Sequence, residues 1–470
     1  MVVGELAEPV DLLVVGGGPG GYVAALRAAQ LGREVVLVER AGGSAGLGGS
    51  CLHVGCIPSK ALIELADSAH HARAMVVAGL AVEGLQVDLA RFQAFKGDIV
   101  GSLAAGIAGL CARQGIRVVA GELRFNRPDR AAVRTPDGQV RFFEFRQAIV
   151  ATGSRPAVLP ALPVDGERVL DSTGALALDA VPRSVAVVGA GYIGLELGTA
   201  LAKLGAHVTI VEALDRVLPT FDPALSRPVE RCLERLGVPL RLGARAAGLD
   251  GDDLVVEDAA GEARVSAEKV IIAVGRVPNT DELGLERAGV AIGDYGLVPV
   301  DAARRATPRI AAVGDVVAGP ALAHKASAEG VVAAEALSGH PAAFDPTAIP
   351  AIVFCDPEVA TTGLSEGEAR AAGLQVDVGT FPLAASGRAA TLLAREGFVR
   401  VVAERGADRI VGVQIVGAHA SELISEGTLA VEMMASPEDL AGTIHPHPTL
   451  SEGLAEAVEL LLGRPVHVSA

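Results

Sequence analysis

Of the five cysteines in this 470-residue chain, only Cys51 and Cys56 lie close together, in the segment GGSCLHVGCIPSK, residues 48–60. Cys111, Cys232 and Cys355 are isolated. So sparse a set does not make a secreted disulfide framework, and a close pair points instead to redox or metal chemistry. Zinc would require a second ligand pair of matching spacing, which is missing; two buried free thiols are the plainer alternative. A reversible disulfide requires the two Cα atoms to come within about 7 Å. A regular helix across 51–56 would hold them too far apart. Pro58, lacking an N–H, is expected to disturb the first turn, and Gly55 to relax it.

Two further segments repeat one pattern. DLLVVGGGPGGYVAALRAAQLGREVVLVER runs from Asp11 to Arg40, and SVAVVGAGYIGLELGTALAKLGAHVTIVEA from Ser184 to Ala213. Each reads as a β-branched strand, a glycine turn, an Ala/Leu helix, a Leu-Gly stop and a second strand ending in Glu. That is a right-handed βαβ unit, twice over. Gly16, Gly18 and Gly21 form one GxGxxG; Gly189, Gly191 and Gly194 form the other. Such glycines allow a tight turn and let backbone N–H groups approach a pyrophosphate at the helix N-terminus. A close-packed turn without a ligand is the alternative. Glu39 and Glu212, about 20 residues beyond their turns, stand where a ribose hydroxyl would be held. Two dinucleotide sites are implied. At the second, a carboxylate repels a 2′-phosphate and favours NAD over NADP, although Arg216 lies close by. Read without that role, Glu212 is a solvated acid at a strand end.

These motifs need several domains to carry them, and the length suits two to four. Apolar residues make up 50% of the chain, with mean hydropathy +0.42. They come in short stretches broken by charges, so no bilayer-spanning run of roughly 20 is expected. The N-terminus has no basic region ahead of its apolar run, and neither a leader nor a lipoyl-type extension is expected. A cytoplasmic location follows as the expectation. The net charge of −16 argues against nucleic acid and suits steering toward a basic protein partner.

Between the repeats, residues of about 61–114 read as helical, followed by short strands, QAIVATGSRP and a Pro-rich passage at 156–163. The second unit closes near KVIIAVGRVPN, 269–279. PRIAAVGDVV then leads into a helix. From about 346 strands such as IPAIVF, FVRVVAE and RIVGVQIVG alternate with helices, without a nucleotide motif.

GGSCLHVGCIPSK resembles the redox signature of the flavin-dependent pyridine nucleotide-disulfide oxidoreductases, and the resemblance covers essentially the whole chain. Its other landmarks are IVATGSRP with Thr152 and Gly153, AVGRVPN with Gly275 and Arg276, IAAVGDVV with Asp315, then AHKASAEG, GFVR and HPHPTLSE. His53 departs from the asparagine usual between the cysteines. The resemblance implies an α/β fold of two Rossmann-like dinucleotide-binding domains plus a C-terminal α+β dimerisation domain. The expected divisions are 1–153 for FAD, 154–281 for NAD, 282–345 returning to the FAD-binding part, and 346–470 for the interface.

Site roles follow from the same resemblance. Cys51 would be the interchange thiol and Cys56 the one nearer the flavin. Thr152, Gly153, Gly275, Arg276 and Asp315 would help hold the cofactors, Asp315 along the ribityl chain. Lys60 and Glu196 match an ion pair beside the flavin's reactive edge; read alone, they are a solvated charge and a first-turn helix acid. The pattern HPTxxE places a proton acceptor at His447, oriented by Glu452. His445 fits no role. No metal ligand is expected.

The implied activity is oxidation of protein-bound dihydrolipoamide with NAD⁺. A homodimer would serve a lipoyl-bearing acyltransferase or carrier of a 2-oxo acid dehydrogenase or glycine cleavage complex. The rivals are NAD(P)H-dependent reductases of glutathione or mercuric type. The first would want basic residues where this chain has Glu212-Ala213-Leu214; the second, a C-terminal cysteine pair. A non-catalytic flavoprotein scaffold is disfavoured by the presence of both cysteines, His447 and Glu452.

Overall fold

The computed structural model describes residues 7–469. Val/Leu runs with little polar alternation suit strands covered on both faces. Accordingly Glu8–Val15 and Val35–Glu39 pair in parallel at the centre of a seven-stranded sheet. Arg117–Ala120, Val140–Val150 and Ile310–Ala312 extend the parallel core. Glu122–Arg127 and Arg130–Arg134 add an antiparallel edge. Helix α1 (Pro19–Gln30) starts with proline at its first position, where a missing N–H costs nothing.

The continuous helical stretch expected over 61–114 is two helices in the structure. After a short α2 (Gly49–His53), α3 covers Cys56–Ala74 and α4 covers Leu89–Arg113. Gly79 (φ 99°) and Gly84 (φ 63°) take left-handed conformations between them. Asp88 then restarts the helix by accepting the Arg91 N–H. By length and composition α4 could cross a membrane, an exception to the expectation of no such segment; here it packs on α1, α2 and α3.

The second repeat builds a parallel sheet in the order Leu240–Arg241, His207–Val211, Ser184–Val188, Lys269–Ile272, Val169–Leu170. Helices α5 (Ser172–Leu176), α6 (Tyr192–Lys203) and α7 (Pro223–Arg235) accompany it. A three-stranded antiparallel meander covers 245–266. The chain then returns to the first sheet, and α8 (Ala323–Leu337) lies on α1. That close approach depends on glycine, since a Cβ on Gly330 would fall 2.5 Å from the Gly20 carbonyl.

The C-terminal part is a five-stranded antiparallel sheet with helices Ala420–Glu432 and Glu452–Leu461 packed on it. Two of its strands, Val359–Gly363 and Val376–Pro382, went unread in the sequence because Thr, Asp and Gly dilute their apolar pattern. The fold is thus the expected α/β pair of Rossmann-like domains with an α+β domain after them.

Candidate active site

The helix containing the cysteines breaks between them. Cys51 sits within α2, Val54 ends that helix, and Gly55 (φ −134°, ψ −110°) precedes Cys56, the first residue of α3. The kink is built at Val54–Gly55 and not at Pro58. Pro58 lies in the first turn of α3, where no N–H is needed. A Cβ on Gly55 would come within 2.9 Å of the Ser50 carbonyl, so the kink is tight. Both cysteines are free thiols here, close enough that each perturbs the ionisation of the other. Neither is fully buried, unlike Cys111, Cys232 and Cys355.

The two sulfurs are electrostatically unequal. Cys56 is brought down to about 7, first by the hydrogen bond from Cys51. Burial opposes this, the Lys60 ammonium assists it and Glu196 works against it. The same hydrogen bond, with burial, pushes Cys51 far above the ordinary thiol range. Of the two, Cys56 is the more readily deprotonated, as suits a helix N-terminus.

Lys60, one turn further along α3, lies 2.9 and 3.1 Å from the two carboxylate oxygens of Glu196 on α6. Glu196 is buried, and its Oε1 also accepts the Phe354 N–H at 3.1 Å. The Phe354 ring lies under the ammonium, 4.4 Å from centroid to Nζ. The solvated-charge and first-turn readings of these two residues do not describe them; Glu196 is past the first turn and enclosed.

Above the carboxyl ends of the first sheet lies a cleft of about 420 Å³. It brings together Gly16, Gly18, Glu39, Thr152, Gly153, Arg276 and Asp315, and both cysteines, Lys60 and Glu196 open onto it. Gly21 and Gly275 do not line it. Gly21 acts from behind, since a Cβ there would meet the Gly16 carbonyl at 1.8 Å. The cleft fits a dinucleotide: the space beside Gly18 holds nothing nearer than 4.0 Å, and α1 aims its N-terminus there.

The second turn repeats this geometry. A Cβ on Gly194 would lie 1.9 Å from the Gly189 carbonyl, while Gly191 has open space around it. In the structure the terminal acids, expected to hold a ribose, brace the backbone of their own turns. Glu39 accepts N–H groups from Gly17 (2.7 Å) and Ala41 (2.8 Å). Glu212 accepts those of Ala190 (2.7 Å) and Leu214 (2.9 Å). Both carboxylates are 8% exposed, so Glu212 is no solvated acid. Arg216 is tied to the Pro219 carbonyl at 2.9 Å.

Ser154 escaped the sequence reading. Its hydroxyl donates to Asp315 at 2.5 Å and accepts from Arg276 Nε at 2.7 Å, and Arg276 also reaches the Ser154 carbonyl. The signal lay in IVATGSRP, two residues beyond Thr152. Thr152 itself clasps Asn279, hydroxyl to carbonyl at 2.7 Å and amide to carbonyl at 2.9 Å. Tyr192 and His53 also face the cleft. His53 Nε2 bonds the Leu47 carbonyl at 2.9 Å.

His447 and Glu452 lie elsewhere. Glu452 Oε2 accepts the Thr449 N–H at 2.8 Å, and Oε1 meets His447 Nδ1 at 2.8 Å. Burial raises the Glu452 carboxyl, but Thr449 and His447 outweigh it and leave it below the usual range. Neither residue lines the cleft of its own chain. His445, for which no role was expected, is held between Glu426 (2.8 Å) and the Thr443 carbonyl (3.0 Å).

A thiol pair at one end of a dinucleotide cleft, next to a second dinucleotide turn, defines a disulfide oxidoreductase that couples thiols to a flavin and a pyridine nucleotide. The chain belongs to the pyridine nucleotide-disulphide oxidoreductase family, which it matches over residues 10–330, with the family's dimerisation domain over 349–458. It is 46% identical to a dihydrolipoyl dehydrogenase of Geobacillus stearothermophilus, covering 100% of this chain and 99% of that one. It is 47% identical to dihydrolipoyl dehydrogenase 2 of Haloarcula marismortui, covering 99% and 100%. Among solved structures, LpdA from Mycobacterium tuberculosis superposes with TM-score 0.88 at 31% identity, covering 96% of this chain and 99% of that one. The HOCl-induced flavoprotein disulfide reductase RclA from Escherichia coli gives 0.84 at 26%, with the same coverage. The family works with FAD and NAD, and this chain is an oxidoreductase of that kind.

Proposed function

We propose that the chain oxidises protein-bound dihydrolipoyl groups with NAD⁺. The observation that carries this is the unequal Cys51–Cys56 pair opening on the dinucleotide cleft beside Lys60–Glu196. Relatives of the same full length are named for that activity. Residues 1–153 and 282–345 are read as the FAD-binding part, 154–281 as the NAD-binding part and 346–470 as the interface.

With the cysteines joined, a dihydrolipoyl thiolate attacks Cys51 Sγ; the S–S bond breaks and Cys56 leaves as a thiolate. His447, oriented by Glu452, takes the proton of the attacking thiol, and the second dihydrolipoyl thiol passes its own proton to Cys51 as it becomes the thiolate. That thiolate displaces Cys51 from the mixed disulfide, so lipoyl disulfide leaves and the cysteine pair holds the two electrons. Lys60 stabilises the Cys56 thiolate, and Glu196 holds Lys60 in place. Bound FAD, held by the Gly16–Gly18 turn, Glu39, Thr152, Gly153, Arg276 and Asp315, would accept the two electrons, and NAD⁺ at Gly189–Gly194 and Glu212 would take them as hydride. The balance is dihydrolipoyl and NAD⁺ giving lipoyl, NADH and H⁺.

The supporting partner chemistry is a lipoyl-bearing acyltransferase or carrier, met in the cytoplasm by a homodimer. The test compares NADH production from dihydrolipoamide with NADPH oxidation by glutathione disulfide. Faster turnover in the second assay overturns the reading.

A further inference from the structure

The Lys60–Glu196 pair is the upper of two links between α3 and α6. One heptad further along both helices, residue 67 faces residue 203 with the charges exchanged. Lys203 Nζ lies 2.5 Å from Asp67 of α3 and 2.7 Å from Asp356. Arg73, still on α3, donates to the Lys203 carbonyl at 3.0 Å and closes the C-terminal end of α6. Seven residues of helix advance about 10 Å, so the two links stand well apart along one helix pair.

The segment 354–356 joins both links. Its Phe354 N–H reaches Glu196, its Phe354 ring lies under Lys60, and its Asp356 carboxylate reaches Lys203. Three parts of the chain therefore meet here: α3 from the first unit, α6 from the second, and the opening of the dimerisation domain. Lys203 is 7% exposed, and a cation so placed persists only with partners. It has two, which together hold it in the charged form against burial. No sequence motif marks Lys203, Asp67 or Asp356.

We infer that Lys203 is a positioning residue for the redox thiol: with Asp67 and Asp356 it fixes the register of α3, α6 and segment 354–356, and so fixes where the Lys60 ammonium stands beside Cys56. The inference rests on the reading of Cys56 as the redox thiolate. The charged and titratable groups around the Lys203 link are Asp67, His70 and Arg73 on α3, Cys355, Asp356 and Glu358 in the opening of the dimerisation domain, and Cys232 on α7. Those around Cys56 are Cys51, Lys60, Glu196 and Tyr192. Cys355 lies near both Glu196 and Asp356, but burial keeps its thiol neutral, so the lower link acts on Cys56 through the position of the upper one.

The test uses flavin-loaded enzyme carrying Cys51→Ser, in which Cys56 titrates without its neighbouring thiol. The rate of Cys56 alkylation by iodoacetamide, resolved by peptide mass spectrometry, is followed against pH in this parent and with Asp67→Asn or Lys203→Gln added. Asp67 is half-exposed, so its substitution is compatible with folding. Removing that negative charge would by direct electrostatics ease thiolate formation and lower the alkylation midpoint. Loosening the register raises it, by about half a pH unit or more. An upward shift with Asp67→Asn, accompanied by one with Lys203→Gln and reversed by Lys203→Arg, supports the inference. A downward shift or none with Asp67→Asn overturns it, whether or not Lys203→Gln folds. A parent protein lacking long-wavelength thiolate–flavin absorption would count against the flavin reading alone, because alkylation reports Cys56 directly.

Discussion

His447 turns its Nδ1 to Glu452, 2.8 Å away, while its side chain remains 81% exposed. Nε2 has no hydrogen-bond partner among the described residues, and His447 does not line the cleft that holds Cys51 and Cys56 of the same chain. An exposed imidazole oriented by its own chain, outside that chain's cleft, is expected to complete the site of a second copy. Inactive Cys56→Ser and inactive His447→Gln subunits should therefore complement when co-expressed. Random pairing makes about half the dimers mixed, each with one intact site and one doubly damaged, so about a quarter of all sites should work. Verified mixed dimers without activity would show that His447 acts within its own chain or not at all.

The unequal thiols predict an optical signature. After two-electron reduction, a long-wavelength band from the Cys56 thiolate against oxidised flavin should grow as pH rises through about 7, because the depressed thiol is deprotonated above that value and protonated below it. Cys56→Ser should abolish the band, and Cys51→Ser should leave a standing one. Identical spectra from the two variants would reverse or void the assignment of roles.

Coenzyme choice should follow Glu212. A 2′-phosphate would be brought against a buried carboxylate already braced by two N–H groups, and Arg216 is engaged elsewhere. NAD should exceed NADP in kcat/KM by well over tenfold, a factor worth about 1.4 kcal/mol. Equal values for the two coenzymes would sink the argument.

The two glycine turns should fail separately. Gly21→Ala and Gly194→Ala each force a Cβ to within 1.8 and 1.9 Å of a carbonyl oxygen, an overpacking that costs about 1–3 kcal/mol or more at one βαβ unit. The first variant should purify with little flavin. The second should remain yellow and reducible by dihydrolipoamide, yet respond poorly to NADH. Loss of flavin in both would mean that the units are not independent sites.

By itself the sequence determined the features that local sterics dictate. The two glycine turns, the β-branched strands around them and the closing acids are legible because a tight turn tolerates little else and βαβ geometry fixes the spacing. The cysteine pair was legible for a similar reason, although the kink belongs to Val54–Gly55 and Pro58 merely tolerates it. Only the tertiary structure decided the long-range polar partners. Lys60 meets Glu196, Ser154 joins Asp315 to Arg276, and Lys203 collects Asp67 and Asp356 from separate parts of the chain. A buried charge or hydroxyl must find a partner, but any acid or base of the right reach satisfies that need equally in sequence terms. Which one arrives is set by how helices and sheets pack, and packing is a property of the whole chain.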